Sequence, residues 1–304
     1  MPEEPIQTPK QHDASDNLTG GLWMAVSVVT AAIMTLAARG AAGDVDSIMI
    51  VTLRAIGGFG LAMMAVGAVP RLRGGLKFSN LKLHIARGAL VAISTHLGFY
   101  TLTQIPLAAA TVLFFTAPII TTVLAGPILG EHPGPRRIAA VIVGFLGVIV
   151  VMQPGVAPFH IAYVTALGSS TCFSMVLLMS RRMANADGPM ATYLSSAGIT
   201  VLISLPLATS NWHLPSTEWG WIAVALIVTS SLARNLADIQ AYRLAEASFL
   251  APIAYTRLII IALGAYLLFD EAPGLNTWAG GAVIIAAALY IAHRERVTKR
   301  AQKR

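Results

Sequence analysis

The sequence predicts an all-α membrane protein: ten transmembrane helices arranged as two inverted five-helix repeats. Three observations predict it. Of 304 residues, 56% are hydrophobic and only 12% charged, with a mean hydropathy of +0.69. Soluble domains carry about 25% charged residues, so this much apolar surface calls for lipid rather than a water-soluble core. Second, the basic residues fall in alternate loops, as an orientation signal does. Third, the chain repeats one piece of punctuation, "LGEHPG" at residues 129–134 and "FDEAPG" at residues 269–274. It sets Glu131/Glu271, Pro133/Pro273 and Gly134/Gly274 each 140 positions apart.

Residues 1–19 are polar, lack aromatics and read as a disordered cytoplasmic tail. Apolar runs able to cross about 30 Å of hydrocarbon follow at 20–38, 47–69, 86–104, 107–129 and 137–153. Five more lie at 161–180, 190–209, 219–241, 248–269 and 276–292. The first is too long for a signal-peptide core and has no basic flank before it, so it is expected to stay in the mature chain. Residues 20–155 and 160–293 form the two halves, and 294–304 form a basic tail.

With both termini in the cytoplasm, the inner segments hold Lys10, Arg71, Arg73, Lys77, Lys82, Arg87, Arg136, Arg137, Arg181, Arg182, Arg243, Arg294, Arg296, Lys299, Arg300, Lys303 and Arg304. The outer loops hold only Arg39, and Arg54, Arg234 and Arg257 fall within spans. This bias predicts a multi-pass protein with both ends inside, and a bacterial inner membrane is the expected location. The bias also accounts for the net charge of +7 without a nucleic-acid partner. The expected partners are the lipid bilayer and a small-molecule substrate, for a monomer or homodimer.

The 140-residue offset extends to Thr116/Thr256, Ala125/Ala265, Ala139/Ala279 and Val143/Val283. Five helices per half is an odd number, so the second half starts on the other side. In agreement, the loop "SNWHLPSTEWG" at residues 210–220 lacks the cations of its counterpart after span 2. Inverted repeats place a substrate site where the halves meet. Locally, Pro and Gly end spans 4 and 9, and the Glu is expected to cap the helix that follows.

The long stretches "IPLAAATVLFFTAPIITTVLAGPILGE" and "AEASFLAPIAYTRLIIIALGAYLLFDE" resemble the drug/metabolite transporter superfamily, in its ten-helix EamA-like branch, over roughly residues 20–294. The resemblance implies a secondary transporter of a small organic metabolite, working by alternating access. Amino-acid-type exporters and importers of vitamins or cofactors such as riboflavin or S-adenosylmethionine are both similar to it.

Polar residues inside spans are the candidates for that work. His96, Tyr100 and Thr103 share a face of span 3 and either line a cavity or bond neighbouring helices. Ser231, Arg234, Asn235 and Asp238 share a face of span 8. There Arg234 and Asp238 form a structural ion pair, and Asn235 is offered to substrate. Arg257 has no acid within four residues along span 9 and suits an anionic group on the cargo. Arg54 lies in the outer third of span 2. Pro118 is expected to kink span 4.

No cofactor or metal is expected. The sequence has no GxxxxGK[ST], HExxH or GxSxG motif, its seven histidines are scattered, and Cys172 stands alone in an apolar run. A membrane enzyme therefore lacks a catalytic constellation. A structural or regulatory membrane subunit is the alternative, though it would not need polar stripes in both halves.

Overall fold

The computed structural model describes residues 14–70, 76–129, 134–155, 158–183, 187–245 and 247–301. The described residues are mostly helical, and no strand is found among them. In chain order the helices are α1 (Ala14–Ala41), α2 (Ser47–Ala68), α3 (Leu81–Gln104), α4 (Leu107–Phe114), α5 (Ala117–Leu129) and α6 (Pro135–Met152). There follow α7 (Ile161–Met183), α8 (Gly188–Ala208), α9 (Glu218–Leu244), α10 (Ala247–Tyr255), α11 (Arg257–Phe269) and α12 (Leu275–Ala301).

Among the described residues, nine segments are long and apolar enough to cross a membrane. One of the ten expected runs fails that measure. It is α3, whose Lys82, His84, Arg87, Thr95, His96 and Gln104 dilute its hydropathy. His84 is fully buried and Arg87, Thr95 and His96 are half-buried where α3 packs against α7 and α8, while Lys82 and Gln104 are exposed. The protein is thus a multi-pass, all-helical membrane protein.

Two boundaries differ from expectation. Helix α1 begins at Ala14, inside the segment expected to be disordered. The end of α9 lies against it: a Cβ at Gly20 would sit 2.6 Å from that of Ala245. At the other terminus, α12 continues into the basic tail as far as Ala301. Of the repeated motif, Glu131 and Pro133 lie outside the described residues.

Helix pairings recur in a regular way. α1 packs on α9 as α3 packs on α7; α3 packs on α8 as α2 packs on α9; α2 meets α8 and α6 meets α12. The α6–α12 seam brings backbone against backbone. A Cβ at Gly280 would lie 2.6 Å from the Gly147 carbonyl oxygen, and one at Gly147 would lie 2.9 Å from that of Gly280. Only glycine permits this approach of backbone to backbone. Asn276 adds a hydrogen bond to the Val151 carbonyl at 3.1 Å.

Spans 4 and 9 are each interrupted. The breaks fall at Phe115–Thr116 and at Thr256. At the first, the Thr116 N–H (3.1 Å) and hydroxyl (2.6 Å) both donate to the Leu113 carbonyl. At the second, Thr256 does the same to Ile253, at 3.1 and 2.6 Å. Taking the carbonyl three residues back tightens the turn and ends the α-helical ladder. Pro118 therefore sits in the first turn of α5, where its missing N–H costs nothing. It does not kink a continuous helix.

Candidate functional site

The two breaks bring Phe115 and Tyr255 together. Their rings meet edge to face, with centroids 4.9 Å apart and planes at 88°. Arg257 opens α11, and its guanidinium lies 5.0 Å from the Phe115 ring centroid. Arg54 makes the same kind of contact, 5.7 Å from the Phe99 ring centroid. Each deep cation is thus laid against an aromatic face, which partly offsets the loss of water. Tyr193 of α8 and Arg234 of α9 are electrostatic neighbours of Arg54. The Tyr193 hydroxyl occupies space that Gly58 leaves, 2.7 Å from where a Cβ would be.

His96 is half-buried and directs Nε2 to the Ser204 hydroxyl of α8 at 2.8 Å. Tyr100, one turn on, packs against the main apolar core. Asn235 donates to the Ser231 carbonyl of its own helix at 2.8 Å. Arg234 Nε is 3.7 Å from Asp238 Oδ2, a loose contact. The tighter partner of Asp238 is on α1, where the Ser27 hydroxyl donates to Oδ1 at 2.5 Å.

Polar clasps flank this interior at both ends of the bundle. At the end opposite the chain termini, Asp270 takes a left-handed conformation, φ 55°, after α11, and Glu271 follows it. Glu271 accepts the Leu107 N–H at 2.9 Å and the Arg39 guanidinium at 2.5 and 2.7 Å. Arg39 also donates to the Thr103 carbonyl at 2.8 Å. The glutamate does cap a helix, but it is α4 of the other half and not the helix that follows.

At the same end Asp44 accepts the N–H groups of Ser216 and Thr217, at 3.1 and 3.2 Å, along with their hydroxyls. The Ser216 hydroxyl is the main cause of a carboxyl held below its ordinary range. At the terminal end Asp187 accepts the Ser79 hydroxyl and N–H at 2.5 and 2.9 Å. Those bonds, with His84, hold Asp187 low in the same direction. His84 is fully buried and bridges Asp187 (3.0 Å) and Ser195 (2.8 Å).

Of the residues singled out in the sequence, Arg54, Arg234 and Asp238 fall in one neighbourhood, and Arg257 falls at the helix breaks. His96 and Asn235 make local or interhelical hydrogen bonds. Phe99, Phe115, Tyr193 and Tyr255 were not anticipated. Phe115 and Tyr255 share the 140-residue spacing and could have been read from it. Among the described residues, no three His, Cys, Asp or Glu side chains come together as metal ligands.

The family model "EamA-like transporter family" matches residues 18–153 and again 160–292. An S-adenosylmethionine uptake transporter of Rickettsia prowazekii is 28% identical over 92% of this chain and 94% of its own. One of Rickettsia felis is 30% identical over 73% and 75%. A riboflavin transporter of Vibrio cholerae is 24% identical over 94% and 96%. A crystal structure superposes with a TM-score of 0.61 at 19% identity, covering 91% of this chain and 98% of its own, a likeness of fold. The chain belongs to the EamA-like transporter family, as a small-metabolite carrier of the drug/metabolite transporter superfamily.

Proposed function

We propose that this protein is a secondary transporter that brings a cofactor-like metabolite into the cell by alternating access between two inverted five-helix halves. The halves are residues 20–155 and 160–293, crossing the inner membrane ten times with both termini cytoplasmic. The observation that carries this reading is the matched interruption of two helices at Thr116 and Thr256, where Phe115 and Tyr255 meet. Discontinuous helices at the junction of repeats are where carriers of this design hold substrate. The recurring helix pairings support the inverted arrangement.

The interior offers aromatic faces beside guanidinium groups, at Arg54–Phe99 and Arg257–Phe115. That combination suits a cargo with a heteroaromatic ring and an acidic group. The names of the relatives support S-adenosylmethionine, which has both, as the first compound to try and riboflavin, which has the ring system without a carboxylate, as the second. The test is uptake of labelled S-adenosylmethionine by proteoliposomes holding the purified protein, with riboflavin as competitor and efflux measured in parallel. Saturable uptake is the expected result. Uptake no faster than in empty vesicles for both compounds would reject the cargo, and efflux alone would reverse the direction.

A further inference from the structure

The region around Arg54 is short of negative charge. Arg54 and Arg234 are electrostatic neighbours, and like charges repel strongly where water is scarce. Asp238 is the one carboxylate among the described residues well inside a membrane helix. It stands 3.7 Å from Arg234 and already takes the Ser27 hydroxyl at 2.5 Å. Meanwhile Arg54 Nε is buried and has no hydrogen-bond partner among the described residues. A buried charged donor left unmade is costly, and a ligand that supplies its acceptor recovers that cost.

Two guanidiniums and one carboxylate leave room for a single negative charge. A phosphate monoester brings about −1.5 to −2, and a carboxylate brings the one charge required. Its two oxygens also match the planar fork of an arginine. Phe99 lies 5.7 Å from the Arg54 guanidinium, and the unmet Nε is on the edge that a carboxylate would engage. The Tyr193 hydroxyl, fixed against Gly58, supplies a neutral donor alongside.

We propose that Arg54, Arg234 and Tyr193 form a subsite for the carboxylate of the cargo, with Asp238 holding Arg234 when the subsite is empty. This rests on the transport reading above and adds to it a chemical class: cargo is selected by a carboxylate.

Two measurements test it. In proteoliposomes, wild type should favour S-adenosylmethionine over its decarboxylated analogue by about tenfold or more in apparent affinity. Arg54→Gln should bring that ratio close to one, Arg54→Lys should leave it intermediate, and Tyr193→Phe should lower it several-fold. A ratio that survives in both Arg54→Gln and Tyr193→Phe overturns the subsite. The second measurement needs no cargo. Lys and Gln both lose the fork and the stacking, and they differ in charge. If the Arg54 charge lacks an internal counter-ion, ligand-free Arg54→Gln melts no lower than Arg54→Lys. A lower melting temperature for Gln, or failure of Gln alone to fold, overturns the proposal. Should wild type carry neither compound, the cargo reading fails while the melting comparison still decides the subsite. Should both Arg54 variants fail to fold, the Tyr193→Phe ratio decides it.

Discussion

Arg39 and Glu271 stand 232 positions apart in the chain and meet at 2.5 Å, with the Leu107 N–H on the second carboxylate oxygen. One glutamate thereby ties together α1, the loop after α11 and the first turn of α4. At 25% and 15% side-chain exposure, the pair is neither free in water nor fully buried. Removing one member leaves the other poorly satisfied, which costs about 1–3 kcal/mol. Glu271→Gln retains an acceptor for Leu107 and should lose less than Glu271→Ala. Thermal melts of these variants, with Arg39→Met and the double variant Arg39→Met/Glu271→Ala, check both the order and the coupling. Strict additivity would mean that the contact contributes nothing.

Acid should act through Asp187. Its carboxyl is held below the ordinary 3.8 by the Ser79 hydroxyl and N–H and by His84. A depressed folded-state value contributes stability above the unfolded-state value, and that contribution is lost as pH falls through the folded one. The melting-temperature gap between wild type and Asp187→Asn should therefore be constant above about pH 5 and shrink below it. Melts in detergent between about pH 3 and pH 6 read the gap directly. A gap that stays constant into acid would assign the loss in Asp187→Asn to geometry and not to charge.

Topology can be read without transport. A reporter active only in the cytoplasm should work when fused after Arg182 and be silent when fused after Ser210. The basis is the crowding of Lys and Arg into alternate loops. The reverse result would invert the whole chain.

Arg257 separates a role in cargo binding from one in packing. Arg257→Lys keeps charge but not the planar face over Phe115; Arg257→Gln loses both. If the residue serves cargo, transport falls from wild type to Lys to Gln while membrane abundance holds. If it serves the fold, abundance and melting temperature fall and the rate per surviving molecule does not.

Much of this architecture is legible in the amino-acid sequence, because hydropathy and loop charge answer to the bilayer alone. The match of Thr116 with Thr256 marks both helix breaks, although Pro118 draws attention to one only. The polarity of α3 is visible as well, but its meaning depends on what it packs against. Partners are the part that spacing cannot supply. Nothing in the sequence ties Ser27 to Asp238, Ser204 to His96 or Glu271 to Leu107, since each pairing depends on the way distant helices cross. Arg54 and Arg257 announce themselves as deep charges, while the rings that cover them lie on other helices.

The glycine seam between α6 and α12 has a mechanical consequence. With the Gly147 and Gly280 backbones in direct opposition, neither helix can slide or roll without driving a carbonyl into its neighbour. Between Ile138 and Met152, α6 carries no polar side chain, and Ile138, Ile142, Leu146 and Ile149 are exposed on its far side. Under alternating access this pair is expected to stay fixed as a stator, while the helices that carry the clasps and the aromatic–arginine contacts move. A covalent staple across the seam should leave turnover intact, whereas one across Asp187 and Ser79 should arrest it.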